Sequence, residues 1–184
     1  MTSQSTRTTY RQIAVAFVVF RLVAFFSASP LAFAKAGDTG TVSAAATSAR
    51  LEQFPPQQFL DLTNAVRQTY GVLPLTLDDQ LNAAAQAKAQ DMVDKGYWAH
   101  FRPGDNKAPW DFISEAGYSY HVAGENLAKG FRSPEGITQA WVASPTHLAN
   151  LVSPKYSNVG YASVMSTDSD GSSVLLTVEM FGHK

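Results

Sequence analysis

Two histidines and one glutamate are the residues of this chain best suited to perform chemistry together. His100 and His147 lie beside turn signals, and Glu125 is followed directly by Asn126. Two neutral imidazoles and a carboxylate can hold a divalent cation or orient a water molecule for general-base chemistry. Taken singly, each has an ordinary explanation, such as a wall residue among aromatics, a helix-cap histidine or a loop acid. We therefore predict a site at His100, Glu125 and His147, supported by Asn126 and Ser144.

Ser144 and His147 are three residues apart, a spacing that also suits a nucleophile and its base. Ser144 precedes Pro145, however, and a Ser-Pro pair is typical of a helix start. We therefore interpret Ser144 as an N-cap whose hydroxyl is occupied by a backbone amide, which disfavours a serine hydrolase. His147 would then lie in the first helical turn, where the positive end of the helix keeps its ring neutral and available.

Three other acidic residues have structural explanations. Glu135 falls in the first turn of a predicted helix, where a carboxylate stabilises the helix dipole. Asp168 and Asp170 resemble part of a calcium loop, but the distant bidentate acid of such a loop is missing. We interpret this acidic segment as a hairpin turn.

The composition restricts both cofactors and partners. The 184 residues include no cysteine, which excludes disulfides, a thiol nucleophile and an iron–sulfur cluster. Any metal must then be held by His, carboxylate, carbonyl or water, and zinc is the divalent ion that we expect. Acidic residues outnumber basic ones by 15 to 14, and no basic stripe exists to neutralise phosphates. We therefore expect no nucleic-acid partner.

The N-terminal segment 1–34 differs from the rest of the chain. A basic start, a long apolar run and a small-residue end at Ala34 are typical of a secretory signal peptide. Arg21 interrupts the apolar run, and an arginine at the centre of a membrane span costs about 2.5 to 3.5 kcal/mol. We predict cleavage near Ala34 and a secreted or cell-envelope protein. The alternative is a retained anchor, so the chain would meet the membrane during export or through an uncleaved N-terminal segment.

The remaining chain divides into a linker and one folded domain. Residues 35–57 are rich in Ala, Ser, Thr and Pro, which predicts a flexible linker, and residues 58–184 are long enough for a single domain. Helical patterns come first. The spacing predicts a helix over 58–70, with one face formed by Phe59, Leu62, Val66 and Tyr70. A second helix is predicted from a capping box at Thr76 and Asp79 to Gly96, with a buried stripe of Leu81, Ala85 and Met92, and shorter helices are predicted to start at Pro109, Pro134 and Pro145. Strand patterns at 159–164 and 174–181 then predict a hairpin. This order indicates an α+β domain with helices packed on a small antiparallel sheet.

Five separated motifs, in this order, resemble the CAP superfamily (cysteine-rich secretory proteins, antigen five, pathogenesis-related one) in its cysteine-free bacterial form. They are 64–67 (NAVR), 71–78 (GVLPLTLD), 96–101 (GYWAHF), 124–127 (GENL) and 141–151 (WVASPTHLANL), followed by the closing strand pair with Gly160. The resemblance covers about residues 58–182. Several motifs in the right order are far more specific than any one of them.

The resemblance implies a three-layer α-β-α sandwich whose central cleft gathers His100, Glu125 and His147. In some family members the two histidines bind a divalent metal, with the glutamate nearby. Many eukaryotic relatives have a second cleft glutamate where this chain has Ser144, so the four-residue set is incomplete here.

Three functions are open from the sequence. We prefer a small-ligand or divalent-metal binding or interaction module, because no complete set of nucleophile, base and oxyanion donors can be named. The second is a metal-dependent hydrolase, a peptidase or envelope-processing enzyme, with Glu125 as base. The third is a lipid- or sterol-binding protein with Tyr97, Trp98, Phe101 and Trp110 in an apolar groove, although we prefer to interpret these aromatics as core. The expected partner is thus a small ligand, a lipid or a component of the cell envelope.

Overall fold

The computed structural model describes residues 54–184. The predicted signal peptide and almost all of the predicted linker lie outside the described residues. The elements, in chain order, are α1 (Pro56–Thr69), β1 (Thr76–Leu77), α2 (Asp79–Asp94), α3 (Pro109–Glu115), β2 (Val122–Lys129), α4 (Pro134–Ala143), α5 (Pro145–Leu151), β3 (Asn158–Thr167) and β4 (Ser173–His183).

Helix α1 begins two residues before the predicted start, with Pro56 in its first turn. Its buried stripe consists of Phe59, Thr63 and Arg67, whereas the predicted inward residue Tyr70 is 53% exposed. The prediction of the inner face was therefore wrong in part. The reason is that two polar side chains are buried because they hydrogen-bond to neighbouring elements.

Helix α2 begins at a different cap from the predicted one. Asp78 is the N-cap and accepts hydrogen bonds from the amides of Gln80 and Leu81 at 2.9 and 3.2 Å. The predicted cap, Thr76, lies in β1 and pairs with Asn158 instead. The core stripe of this helix is as predicted, because Leu81, Ala85 and Met92 are buried. Gly96 follows with φ of 64°, in the left-handed region that favours glycine.

The four strands form one sheet in the order β1-β3-β4-β2. The predicted hairpin is confirmed as β3 and β4, which are antiparallel from Asn158↔Gly182 to Thr167↔Ser173. Strand β2 is antiparallel to β4, whereas the two-residue β1 is parallel to β3. The short strand β1 and the strand β2 were not predicted as strands. Strand β2 lies at one edge of the sheet and carries Glu125.

Helices cover both faces of the sheet and create two hydrophobic cores. Helices α2 and α3 pack on one face around residues such as Leu81 and Val178. Helices α1, α4 and α5 cover the other face around residues such as Trp141 and Phe181. Strand β3 approaches α2 so closely at Gly160 that a Cβ there would collide with the backbone of Leu81. The predicted α+β, three-layer α-β-α sandwich is confirmed.

Candidate functional site

The site is built around the edge strand β2, whose alternating side chains face opposite layers. Glu125 and Leu127 face the core under α2, whereas Asn126 and Ala128 face the layer that contains α5. Successive residues of one strand therefore reach His100 on one side and the backbone of His147 on the other. This geometry brings the two histidine-bearing segments to the same edge.

Glu125 is a buried carboxylate with a single hydrogen-bond partner. Its side chain is 1% exposed, and its Oε1 lies 2.6 Å from Nδ1 of His100. Its Oε2 is buried and has no partner among the described residues. Burial raises the pKa of Glu125, while the bond from His100 and the charges of Lys88 and His100 oppose that rise. Glu125 is therefore a paired, buried acid and not the ordinary loop acid that the sequence also allowed.

His100 lies in the loop that follows α2 and is half exposed at its side chain. The hydrogen bond to Glu125 raises its pKa, and burial opposes this shift in part. With Glu125 as acceptor, Nδ1 carries the proton, and Nε2 is the nitrogen that remains for a ligand. A carboxylate that orients a histidine in this way is the arrangement found behind many metal-binding imidazoles.

His147 lies in the first turn of α5, and its Nδ1 is 2.8 Å from the hydroxyl of Ser144. Burial lowers the pKa of His147, and the nearby charge of His100 lowers it further. Both effects favour the neutral ring that the sequence predicts, and burial is the larger of the two. The predicted capping bond of Ser144 is not formed: the residue occupies the N-cap position, yet its hydroxyl makes no hydrogen bond to a backbone amide of the described residues and contacts His147 and Thr146 instead.

Asn126 connects the site to a second buried carboxylate. Its amide donates to Oε2 of Glu179 at 2.9 Å and to the carbonyl of His147 at 3.3 Å, and its oxygen accepts from Asn150 at 2.9 Å. Glu179 is completely buried and also accepts from Thr63 at 3.2 Å. Burial raises the pKa of Glu179 to about 7, against the effect of these hydrogen bonds and of Arg67.

Alternate carbonyls of β2 bond to side chains instead of another strand. The carbonyl of Ala123 accepts from Tyr156, that of Glu125 from Asn150, and that of Leu127 from the indole of Trp141. Gly124 leaves room for the Tyr156 ring, since a Cβ at this position would collide with its hydroxyl. These bonds cover an otherwise open sheet edge and fix the strand that carries Glu125.

The site has ring nitrogens that can coordinate a cation, but the described residues do not supply a complete set of metal ligands. His100 and His147 each use Nδ1 in a hydrogen bond, which leaves both Nε2 atoms as candidate ligands. Within residues 54–184 no group of three or more His, Asp or Glu side chains is arranged to hold a metal. A bound zinc ion would therefore be held by two imidazoles and completed by water or by a ligand molecule.

The four aromatic residues that the sequence predicts as core are at most partly buried. Trp98 and Phe101 are 41% and 47% exposed on either side of His100, so the interpretation of these two as core was wrong. Tyr97 and Trp110 are partly buried and pack against the core.

The three acids with structural explanations lie where the sequence placed them. Glu135 is in the first turn of α4 and accepts a hydrogen bond from Gln58. Asp168 and Asp170 lie in the turn between β3 and β4, where they accept from the backbone amides of Ser169 and Ser172.

Sequence reasoning missed Lys88 and Glu179, the two ionisable residues that are completely buried behind the site. Both carried a signal. Lys88 falls at the buried helical spacing between Leu81, Ala85 and Met92, and Glu179 interrupts an apolar strand run. A charged residue in a core position requires a buried hydrogen-bond partner. Here the partners include the carbonyl of His100 for Lys88 and the amide of Asn126 for Glu179, which both belong to the candidate site.

The fold and the site together define a CAP domain, and the comparisons with known proteins agree. The sequence profile of the cysteine-rich secretory protein family, CAP, matches residues 60–180. This chain belongs to that family.

Two proteins of Bacillus subtilis (strain 168) are similar in sequence. "Uncharacterized protein YkwD" is 38% identical over 133 residues, which is 72% of this chain and 50% of that protein. "Uncharacterized membrane protein YlbC" is 26% identical over 113 residues, which is 60% of this chain and 32% of that protein. The chain thus matches half or less of the length of these relatives.

Solved structures share the fold. An extracellular protein containing a SCP domain from Bacillus anthracis str. Ames has a TM-score of 0.59 at 25% identity, over 70% of this chain and 40% of that one. An outer surface protein from Borrelia burgdorferi has a TM-score of 0.58 at 19% identity, over 72% of this chain and 98% of that one. No helix within residues 54–184 has the length and apolar character needed to cross a membrane.

Proposed function

We propose that this CAP-domain protein acts outside the cytoplasm, where it binds a small ligand or a divalent cation, zinc in the first instance, between His100 and His147. The extracellular location is supported by the structural relatives described as an extracellular and an outer surface protein. A component of the cell envelope is the partner class that suits this location.

The observation that carries the proposal is the 2.6 Å hydrogen bond between Nδ1 of His100 and Oε1 of Glu125. It orients the imidazole and leaves Nε2 for a ligand. His147 supplies a second ring whose lowered pKa keeps it unprotonated at neutral pH. Bound zinc would act as a Lewis acid toward an oxygen-containing ligand.

Zinc binding to the folded state predicts a higher thermal midpoint for metal-stripped protein when zinc is added. A ligand at 100 times its Kd stabilises the folded state by about 2.7 kcal/mol. The shift is lost in His100→Ala and in His147→Ala, and kept in His121→Ala, an exposed histidine outside the cleft. A wild-type midpoint that zinc leaves unchanged, or a shift that survives both cleft substitutions, contradicts the metal proposal.

A second candidate is a metal-dependent hydrolase with Glu125 as base. The buried Oε2 without a partner and the raised pKa of Glu125 favour it. Glu125→Gln tests the hydrolase mechanism, because a base must be a carboxylate. Hydrolysis of peptide or cell-wall substrates that survives this substitution removes the hydrolase mechanism.

A further inference from the structure

Lys88 is a completely buried cation in the middle of α2. Its ammonium donates to the carbonyls of His100 at 2.7 Å and Ala99 at 2.9 Å, and to the hydroxyl of Tyr97 at 3.1 Å. An ammonium group has three protons, so these three acceptors satisfy it. All of them lie within residues 97–100. Lys88 therefore attaches the helix directly to the segment that carries His100.

The position of Lys88 is costly for a charged residue. Burial lowers its pKa, although the nearby carboxylates of Glu125 and Asp91 favour the charged form. The ammonium also lies 4.8 and 5.5 Å from the ring centres of Tyr97 and Phe112, where the ring faces attract a cation. An apolar side chain of similar volume would avoid the desolvation cost. The lysine therefore needs a reason other than packing.

The loop is held at its outer side by a second set of contacts. Asp91, one turn after Lys88, accepts from the hydroxyl of Tyr97 at 2.6 Å and from Arg102 at 2.8 Å. These bonds fix the residues on either side of His100. Lys88 is the group that bonds to the backbone of His100 itself.

We propose that Lys88 is a positioning residue for the candidate site: its ammonium fixes the backbone of Ala99 and His100 so that the His100 imidazole meets Glu125. It acts through His100 and not on a ligand. The importance of this arrangement for binding rests on the proposed function, but the arrangement itself is tested without metal.

The test is the nuclear magnetic resonance signal of the Nδ1 proton of His100 in metal-free protein. A proton held in a short bond to a carboxylate exchanges slowly and resonates downfield of the amides, and Glu125→Gln identifies it by shifting it, because an amide oxygen is a weaker, uncharged acceptor. In Lys88→Met we expect this signal to be lost while the indole proton of Trp141, bonded on the other face of the sheet, keeps its position. Loss of both signals is a failure to fold.

Lys95→Met is the matched control, because Lys95 directly follows α2 and its ammonium, among the described residues, bonds only to Asp91. It should keep the His100 signal. If Lys88→Met does not fold, Lys88→Gln is measured in its place, since it keeps an amide donor with fewer hydrogen bonds and no charge. A His100 signal that persists in folded Lys88→Met, or that is unchanged in Lys88→Gln, overturns the proposal, whether or not the protein binds zinc. Failure of zinc binding alone leaves it intact.

Discussion

The two halves of the candidate site, one around His100 and one around His147, hold their histidines by different means. His100 lies in a loop, pairs with a carboxylate and has the cation Lys88 bonded to its own carbonyl. His147 lies on a helix, contacts the neutral hydroxyl of Ser144, and has the carboxylate Glu179 behind it through Asn126. A buried ammonium group therefore lies behind His100, and a buried carboxyl group lies behind His147.

The two rings also differ in how readily they take up a proton. The paired carboxylate raises the pKa of His100, while burial and the neighbouring cation lower that of His147. His100 therefore takes up its second proton at a higher pH than His147 does.

The largest expected effect concerns Arg67, the buried cation of the His147 half. Its guanidinium donates to the carbonyls of Leu73, Leu151, Ser153 and Tyr156, two of which adjoin the end of α5. Arg67→Met leaves these carbonyls without this donor, so we expect the free energy of unfolding to fall on the order of 4 kcal/mol. Urea denaturation at pH 7 measures it.

The comparison with the His100 half supplies the control for Arg67. Lys88→Met removes a donor from only two carbonyls and a hydroxyl, so its loss of stability should be smaller. Arg67→Lys keeps the charge with fewer donors and should fall between wild type and Arg67→Met. If Lys88→Met is the more destabilising substitution, the His147 half is not the more strongly anchored one.

The second effect is a pH dependence caused by Glu179. Its pKa is raised to about 7 in the folded protein, whereas a glutamate in an unfolded chain has a pKa of about 4.3. Between these values the folded state keeps a proton that the unfolded state has released. Stability therefore falls as the pH rises from about 4.3 to about 7, by roughly 3 kcal/mol, and this contribution is constant above that range.

Glu179→Gln isolates this contribution, because other carboxyl groups titrate in the same window. Glu125, whose pKa is also raised by burial, contributes with the same sign. Subtracting the unfolding free energy of Glu179→Gln from that of wild type at each pH leaves the titration of Glu179. A difference that stays flat or increases between pH 5 and 7 would show that the buried carboxyl is not protonated in the folded state.

The fold could be predicted where local patterns coincide with packing. The stripe of α2 and the β3–β4 hairpin were recognised because apolar periodicity and turn residues agree there. Strand β2 was missed because it combines Glu125, Asn126 and small residues, which have low strand propensity. Its hydrogen bonds to β4 and to side chains of α4 and α5 compensate for that weakness.

The sequence was sufficient to choose the residues of the candidate site, but not to predict the buried residues whose hydrogen bonds hold them in place. His100, Glu125 and His147 were chosen from their chemistry and from the family resemblance, and their use for a metal or ligand stays a prediction. The contacts of Glu179 depend on partners that are distant in sequence, such as Asn126, and those of Lys88 depend on backbone carbonyls of the irregular segment after α2. Local patterns carry no information about such partners, so these contacts required the three-dimensional structure.

The smallest expected effect concerns the two serines that precede a helix-starting proline. Ser133 caps α4 through its hydroxyl, whereas the hydroxyl of Ser144, before α5, contacts His147. The hydroxyl of Ser133 accepts from the amide of Gly136 at 3.1 Å, so Ser133→Ala should lower the free energy of unfolding by about 1 kcal/mol. Ser144 has no such bond, so Ser144→Ala should cost less than about 0.5 kcal/mol. Urea denaturation of both variants measures the difference. Equal losses would mean that Ser144 caps α5 in solution, and its hydroxyl would then not be free to contact His147.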